Sequence, residues 1–327
     1  MRRRIQTLLL ALGLILGAGA CGSTGQPTTG GGAAMPADVQ GKAIRRNAEN
    51  ADKPPIVVSS KNFTEEFIVA EIYAQALAAA GYRIKKQLDI GSELVALKAL
   101  RAGRIDAYPE YTGTALTTFF DVRARDIPKD PAQAYALARR HFAKIGMTAL
   151  SPTPFTDSNA FAMTKEGAEK AGNITKISQL KGRAQDLTLS GSSECAQRID
   201  CKLGLEQVYG LEFGAYKPVD LSKRHEVLRD GQADVSVVFS TDGQIQAENL
   251  VVLQDDLQLL PPYNVTFVVR TPVLRAAGPD LANVVAAVNK GLTTEVMQEL
   301  NSRVDVDRGR PADVAAQYLQ EAGYVRS

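Results

Sequence analysis

Strand-like and helix-like patterns alternate along the chain from residue 54 onward. Ile56 to Ser59 is a short buried-strand pattern, and Glu65 and Glu66 open a helical segment that stops at Gly81. Ile84 to Ile90 can form a second strand. Alternation of this kind is typical of an α/β fold with a largely parallel sheet. We therefore predict an α/β protein.

The same alternation continues to the C-terminus. Further strands are predicted at 104–108, 161–164, 187–189, 235–239, 251–253 and 266–270. Further helices are predicted at 93–102, 194–209, 279–291, 294–303 and 311–322.

The first 20 residues have the pattern of a secretion signal. Three arginines, Arg2 to Arg4, precede an apolar run of 13 residues, Leu8 to Ala20. A membrane-spanning helix needs about 20 apolar residues, so this run is too short to be a comfortable span. Cys21 follows small residues in a pattern that resembles the lipobox of bacterial lipoproteins, although Ala18 stands where Leu is usual. We predict a signal peptide over 1–20 and lipidation of Cys21; the alternative is plain secretion with Cys21 as a free thiol.

Residues 21–53 cannot bury a core, because they are rich in Gly, Ser, Thr and Pro and then polar and charged. We predict a flexible tether here. The formal net charge of the chain is +2, and three of the positive charges lie in the signal segment, so the remainder is nearly neutral. No basic cluster interleaved with aromatic residues occurs, and the sequence therefore does not indicate a nucleic-acid partner.

Two cysteines remain, Cys195 and Cys201. An exported protein meets an oxidising environment, so we predict a disulfide between them. Their spacing is not that of a zinc site, and the histidines His141 and His225 are isolated in the sequence. We expect no metal and no other cofactor.

The sequence carries none of the common catalytic motifs. The G-x-S-x-G elbow, the phosphate-binding G-x-x-x-x-G-K-[ST] loop and H-E-x-x-H are all missing. Paired acids such as Asp255-Asp256 are typical of solvated turns. We therefore predict that the protein is not an enzyme.

Four polar-aromatic stretches stand out, and the first three follow predicted strands. They are SKNFTEE at 60–66, YPEYTGTAL at 108–116, FSTDG at 239–243 and PPY at 261–263. In open α/β sheets, ligands bind beyond the C-terminal ends of the strands. The first stretch also leads into a helix start, which favours an anion such as a carboxylate.

These stretches, together with VVLQDDLQLLPPY at 251–263, resemble the substrate-binding proteins of ATP-binding-cassette (ABC) importers for quaternary ammonium compounds. The resemblance covers residues 54 to 327. It implies a two-lobed fold of the type II periplasmic-binding-protein class, with the ligand in the cleft and two hinge crossings. It implies one lobe from 54–153 plus 256–327 and the other from 154–255. A monomer, anchored at the outer face of the cell membrane beside an ABC permease, is expected.

The resemblance also implies an aromatic cage for a trimethylammonium group. Tyr111 and Tyr263 match cage tyrosines of the family, whereas Phe161 and Phe239 stand where the family usually has Tyr. Phe keeps the ring face but loses the phenol hydroxyl. Because the chain contains no Trp, any cage must use Tyr and Phe.

The carboxylate end of a betaine requires donors. Lys61 and Arg198 match family positions that contact it, and an Arg can bind a carboxylate through two bonds. Thr114 is a candidate hydroxyl donor. Glu194 lies one helical turn before Arg198 and is expected to orient it, and the predicted Cys195–Cys201 bridge flanks that Arg.

The resemblance favours glycine betaine or a related osmolyte, because two cations in the cleft suit a zwitterion. Choline, carnitine, ergothioneine or an amino acid in the same fold are alternatives, as is a sensing role. A secreted lipoprotein hydrolase is a distant alternative, since no nucleophile motif supports it.

Overall fold

The computed structural model describes residues 41–326, apart from the side chains of Ala124 and Gln246. The predicted signal peptide and Cys21 lie outside these residues. Within them, ten strands form two five-stranded sheets, with the orders β2-β1-β3-β10-β4 and β7-β6-β8-β5-β9. The strands are β1 Ile56–Ser59, β2 Ile84–Gln87, β3 Ala107–Tyr111, β4 Met147–Ala149, β5 Asn159–Met163, β6 Thr188–Gly191, β7 Ala215–Pro218, β8 Val235–Phe239, β9 Val251–Leu253 and β10 Val265–Arg270.

The two sheets have the same topology. In the first, β1 pairs in parallel with β2 and β3, and β10 runs antiparallel between β3 and β4. In the second, β6 pairs in parallel with β7 and β8, and β5 runs antiparallel between β8 and β9. The α/β prediction is confirmed, but both sheets are mixed. The reason is that each sheet receives one strand from a chain segment that arrives from the other sheet.

Helices cover both sheets. They are α1 Thr64–Ala79, α2 Glu93–Arg101, α3 Thr112–Thr114, α4 Pro131–Lys144, α5 Lys165–Lys170, α6 Lys202–Gly204, α7 Glu226–Arg229, α8 Gln244–Ala247, α9 Thr271–Ala277, α10 Pro279–Asn289, α11 Thr294–Asp305 and α12 Pro311–Glu321. Helix α1 is buried on nearly all sides, because it lies between the first sheet and α10, α11 and α12. None of the helices in the described part of the chain is long and apolar enough to cross a bilayer.

The strands of the first sheet all lie in residues 54–153 and 256–327, and those of the second all lie in 154–255. We call the two sheets with their covering helices the first lobe and the second lobe. The chain crosses between them twice, after β4 and after β9. The crossings pair with each other, because Thr156 forms an antiparallel bridge with Asn264 and the Asp157 N–H donates to the Tyr263 carbonyl over 3.2 Å.

The folded part begins before residue 54. The Gly41 N–H donates to the Ala322 carbonyl over 2.7 Å, and the Ile44 N–H donates to the Tyr324 carbonyl over 2.8 Å. A 3-10 helix then follows at Ala48–Asp52, in which Asn50 is buried. The prediction of a tether reaching residue 53 is therefore corrected. This polar segment attaches to the first lobe through backbone hydrogen bonds, which a search for apolar runs does not detect.

Candidate ligand-binding site

A cavity of about 210 Å³ lies between the lobes. Its wall is built from the loop after β1, the end of β3, both crossings, the segment around the disulfide, and the end of β8. Most of these are the polar-aromatic stretches that the sequence analysis selected. They meet here because the C-terminal ends of β1, β3, β6 and β8 point towards the cleft.

Four aromatic rings line this cavity. Phe63 and Tyr111 come from the first lobe, Phe239 from the second, and Tyr263 from a crossing. The ring centroids of Phe63 and Phe239 are 5.2 Å apart across the cleft, and those of Phe63 and Tyr111 are 5.9 Å apart. Phe63 belongs to the SKNFTEE stretch, but it was not among the predicted cage residues. Its position between Lys61 and the start of α1 is the feature that could have identified it as a cavity residue.

Phe161 does not line the cavity. Its ring is fully buried in the core of the second lobe, in one cluster with Cys195, Cys201 and Leu253. Asn159, two residues earlier on β5, reaches the cavity instead. Since each strand residue advances the chain by roughly 3.3 Å, Phe161 stands too far behind the cleft. The proposed cage therefore excludes Phe161.

Carboxylates hold the two cavity tyrosines in place. The Tyr111 hydroxyl donates to Glu65 Oε1 over 2.7 Å, and the Tyr263 hydroxyl donates to Asp200 Oδ2. Burial raises the pKa of both phenols well above their usual range, and the neighbouring carboxylates raise these pKa values further. Both hydroxyls therefore stay protonated, and each ring has a fixed orientation.

Lys61 lines the cavity, but its charge is already paired. Its Nζ lies 2.7 Å from Glu110 Oε1 and 3.5 Å from Glu66 Oε1, and it stands 4.4 Å from the Tyr111 ring centroid. Burial alone would lower the pKa of Lys61, but Glu110 and Glu66 outweigh this effect and raise it. The ammonium group is thus charged and fixed at the edge of the aromatic set.

Glu66 is fully buried beside this ammonium group. Burial raises the pKa of Glu66 to about 8, because the attraction of Lys61 compensates only in part and Glu110 adds repulsion. The Glu66 carboxyl is therefore largely protonated at neutral pH. The buried cluster of Lys61, Glu66 and Glu110 then contains one cation and one anion.

Arg198 lies in the second lobe and is held by two carboxylates. Its Nε and Nη2 donate to Asp200 over 2.8 and 2.7 Å, and its Nη1 donates to Glu93 Oε1 of the first lobe over 2.9 Å. This arrangement corrects the expected role of Glu194. The predicted helix 194–209 is interrupted, because Arg198 has an extended backbone (φ −86°, ψ 136°) between a 3-10 helix at Glu194–Gln197 and α6. Glu194 lines the cavity from an exposed position, but it is not the partner of Arg198.

The disulfide is present between Cys195 and Cys201, with their Cα atoms 5.3 Å apart. Both cysteines line the cavity, and the loop they close contains Arg198. Thr114 also lines the cavity and is buried. Asp157 on the first crossing is a lining residue that the sequence analysis did not select. No group of three metal-ligating side chains occurs among the described residues.

Comparison with known proteins assigns this architecture. Residues 54–321 match the family described as the substrate binding domain of ABC-type glycine betaine transport systems. The chain belongs to this family. It is therefore a solute-binding protein of the ABC-importer class and not an enzyme, and its two-lobed fold is of the type II class.

Several relatives support the family assignment. The chain is 31% identical to a glycine-betaine-binding protein of Pseudomonas aeruginosa, over 81% of this chain and 86% of that protein. It is 27% identical to the ergothioneine transport permease/ergothioneine binding protein EgtU of Helicobacter pylori, over 86% of this chain and 49% of that protein. A solved structure titled as a glycine betaine/carnitine/choline ABC transporter is 28% identical, with a TM-score of 0.65, over 81% of this chain and 98% of that one.

Proposed function

We propose that this protein captures glycine betaine, or a closely related quaternary ammonium compound, outside the cell and delivers it to an ABC permease. The observation that carries this proposal is the set of four aromatic rings, Phe63, Tyr111, Phe239 and Tyr263, around one small cavity between the lobes. Family membership provides the transport context. The protein does no covalent chemistry in this role.

The rings suit the ligand for a physical reason. A trimethylammonium group cannot donate a strong hydrogen bond, its charge is diffuse and its surface is apolar. An aromatic face offers both apolar contact and cation–π attraction, worth about 0.5–2 kcal/mol for each ring. Phe63 and Phe239 approach from opposite lobes, so the cage is complete only when the lobes are together.

The carboxylate end of a betaine is proposed to bind Lys61, Arg198 and Thr114. Arg198 has five N–H groups, and in the described part of the chain three of them donate to Asp200 and Glu93. We propose that a further N–H donates to the ligand carboxylate. Arg198 also links the lobes through Glu93. We propose that a ligand held by Arg198 and Lys61 favours this closed arrangement, in which contacts across the cleft add to those of the ligand.

A second set of cross-lobe contacts lies near Tyr111. The Thr241 hydroxyl of the second lobe donates to Glu65 of the first, and Asn301 Nδ2 donates to the Thr241 carbonyl over 2.9 Å. With the Arg198–Glu93 pair, they hold the lobes together at two places. We propose that ligand release on the permease requires both to open.

Anchoring at the membrane is proposed from the sequence alone. The signal pattern and Cys21 favour export followed by lipidation, and several acyl chains on one residue anchor a protein firmly. We propose that the protein is a monomer at the outer face of the cell membrane. Cell fractionation tests this: the wild-type protein should sediment with membranes, and a Cys21→Ser variant should be recovered in the soluble fraction. Equal sedimentation of both would contradict lipidation.

A second ligand class within the same fold is ergothioneine, which also carries a trimethylammonium group. Two observations support ergothioneine as an alternative ligand. The chain is similar to the Helicobacter pylori ergothioneine binding protein, and Phe239 stands where the family usually has Tyr. Carnitine and choline complete the set of test ligands.

Calorimetric titration of the protein without its first 20 residues tests the proposal. We expect micromolar binding of at least one of glycine betaine, choline, carnitine and ergothioneine. Tyr111→Leu should weaken that binding about tenfold or more, because it removes one ring of the cage. Tyr135→Leu is the matched control, since Tyr135 is a half-buried tyrosine of the first lobe that does not line the cavity. A folded protein that binds none of the four would refute the proposed function.

A further inference from the structure

Asp157 is a buried acid that faces the cavity without a cationic partner. Its exposure is 4%, and it lines the cavity from the first crossing. Within residues 41–326, a single hydrogen bond reaches its carboxylate, from the Thr241 N–H to Oδ1 over 3.4 Å. That contact is long for a hydrogen bond to a carboxylate. Buried acids normally have strong partners, so this exception suggests a function.

Four neighbouring buried acids have strong partners. Glu110 is paired with Lys61, Asp200 with Arg198, and Asp242 with Arg224. Glu65 accepts hydrogen bonds from Tyr111, Thr241 and Asn301. Asp157 differs from these four acids because it lines the ligand cavity and because, within residues 41–326, its carboxylate accepts one long hydrogen bond.

The charged groups that surround Asp157 do not neutralise it. From α1 it faces Glu65, and from the loop after β8 it faces Asp242. The positive charge of Arg224 lowers the pKa of Asp157, but the Arg224 guanidinium is bonded to Asp242, which also contacts His225 Nε2. Burial raises the pKa of Asp157 well above its usual range, and Glu65 and Asp242 raise it further. Without a ligand, ionising Asp157 is therefore unfavourable.

We propose that the Asp157 carboxylate is the counter-charge that binds the quaternary ammonium group of the ligand. This inference rests on the proposed function and adds a residue that selects for charge. Asp157 and Tyr263 are neighbours on the two crossings, since the Asp157 N–H donates to the Tyr263 carbonyl, and both residues line the cavity. The Asp157 carboxylate also acts electrostatically on the Tyr111 phenol and helps to raise its pKa, so it lies near a second lining ring. Aromatic rings alone also accept a neutral apolar group that has the shape of trimethylammonium. A buried carboxylate binds the charged group more tightly than this neutral group.

Binding of the cation then changes the protonation of Asp157. A positive charge beside the carboxylate favours its ionised form, so the proton that Asp157 holds in the empty cavity passes to solvent. Affinity should therefore increase as the pH rises from the ordinary range of a carboxyl group through the raised pKa of Asp157. Neither glycine betaine nor choline has a group that titrates near neutral pH, so the ligand itself does not produce this pH dependence.

The experiment is calorimetric titration at neutral pH in two buffers with different heats of ionisation, which counts the protons released. Choline and glycine betaine are compared with the carbon isostere of each, in which a tert-butyl group replaces trimethylammonium. We expect the wild-type protein to release up to one proton for each quaternary ligand bound, and none for the isosteres. The isosteres should bind about tenfold more weakly or worse.

Asp157→Asn should abolish the proton release and weaken the quaternary ligands about tenfold, while hardly changing the binding of the isosteres. Asp186→Asn is the matched control, because Asp186 is an exposed acid of the second lobe that does not line the cavity. The ligand-free Asp157→Asn variant should also have a higher Tm than the wild type at pH 8 and a similar Tm at pH 4. A residue with a purely structural role would lower both Tm and affinity together.

The outcomes separate this inference from the proposed function. If the wild-type protein binds no quaternary ammonium compound, both are rejected. If it binds one with no proton released and prefers it no more than its isostere, this inference alone is rejected. The wild-type comparison does not depend on whether the Asp157 variant folds.

Discussion

The two lobes share one sheet topology but hold their cavity residues by different means. In the first lobe, Lys61 and Tyr111 stand at the ends of regular elements and are fixed by buried carboxylates, Glu110 and Glu65. In the second lobe, Arg198 lies on a short irregular loop closed by the Cys195–Cys201 disulfide. Both site walls therefore contain buried charge pairs, since Arg198 is also paired with the buried Asp200, but only the second-lobe wall adds a covalent link to them within the described residues. The predictions below test this contrast.

The largest expected effect concerns the buried lysine of the first lobe. Lys61→Met leaves Glu110 buried without its cation, which should lower the free energy of unfolding by about 3–5 kcal/mol. Lys170→Met is the control, because its pair with Glu166 is exposed and screened by solvent and should contribute little to stability. Denaturant unfolding of both variants measures the difference. Equal losses would mean that buried charge does not stabilise this wall.

The second prediction concerns pH and Glu66. The pKa of Glu66 is raised in the folded protein to about 8, so the folded state holds a proton that the unfolded state loses above the ordinary carboxyl range. Stability contributed by this group is present at acidic pH and is lost as the pH rises towards 8. The free energy of unfolding of the wild type should fall between pH 5 and pH 9. In Glu66→Gln this fall should be smaller, by on the order of a few kcal/mol. The exposed Glu169→Gln should leave the pH profile unchanged.

The third prediction addresses the disulfide of the second lobe. Replacing both Cys195 and Cys201 by Ser should lower the free energy of unfolding by about 2 kcal/mol, since the closed loop is short. Ligand affinity should fall as well, because the loop that carries Arg198 is released. Unfolding and titration with and without a reductant measure both effects, and reductant should change the wild type but not the variant. Unchanged affinity would show that Asp200 and Glu93 suffice to hold Arg198.

The smallest expected effect compares one aromatic ring from each lobe. Phe239→Leu should weaken ligand binding by about 1 kcal/mol, which is less than the effect of Tyr111→Leu. The reason is that the hydrogen bond to Glu65 fixes the Tyr111 ring, whereas a phenylalanine ring has no hydroxyl to fix it. Each ring already has a protein cation near it, Lys61 Nζ at 4.4 Å and the Arg224 guanidinium at 4.8 Å from the ring centroid. Titration of both variants gives the order. A larger loss at Phe239 would place the cage mainly in the second lobe.

Regular, apolar elements could be predicted from sequence, and irregular or half-exposed ones could not. Strands β8 and β9 match their predicted bounds, because both are short apolar runs between turn residues. Strand β7 was not predicted, since Ala215–Pro218 is a half-exposed edge strand with no apolar run. The predicted helix 194–209 is divided, because the disulfide and the extended backbone of Arg198 override local helix propensity.

Sequence by itself determined the family, the α/β class and several of the residues that line the cavity, because these depend on local patterns and on short motifs such as YPEYTGT. Tertiary structure alone decided how those residues are used. It placed Phe63 in the cavity and Phe161 in the core, and it gave Arg198 the partners Asp200 and Glu93. It also left Asp157 buried without a cation. Burial and charge pairing are properties of segments that lie far apart in the chain, and they are defined only after the two crossings bring both lobes together.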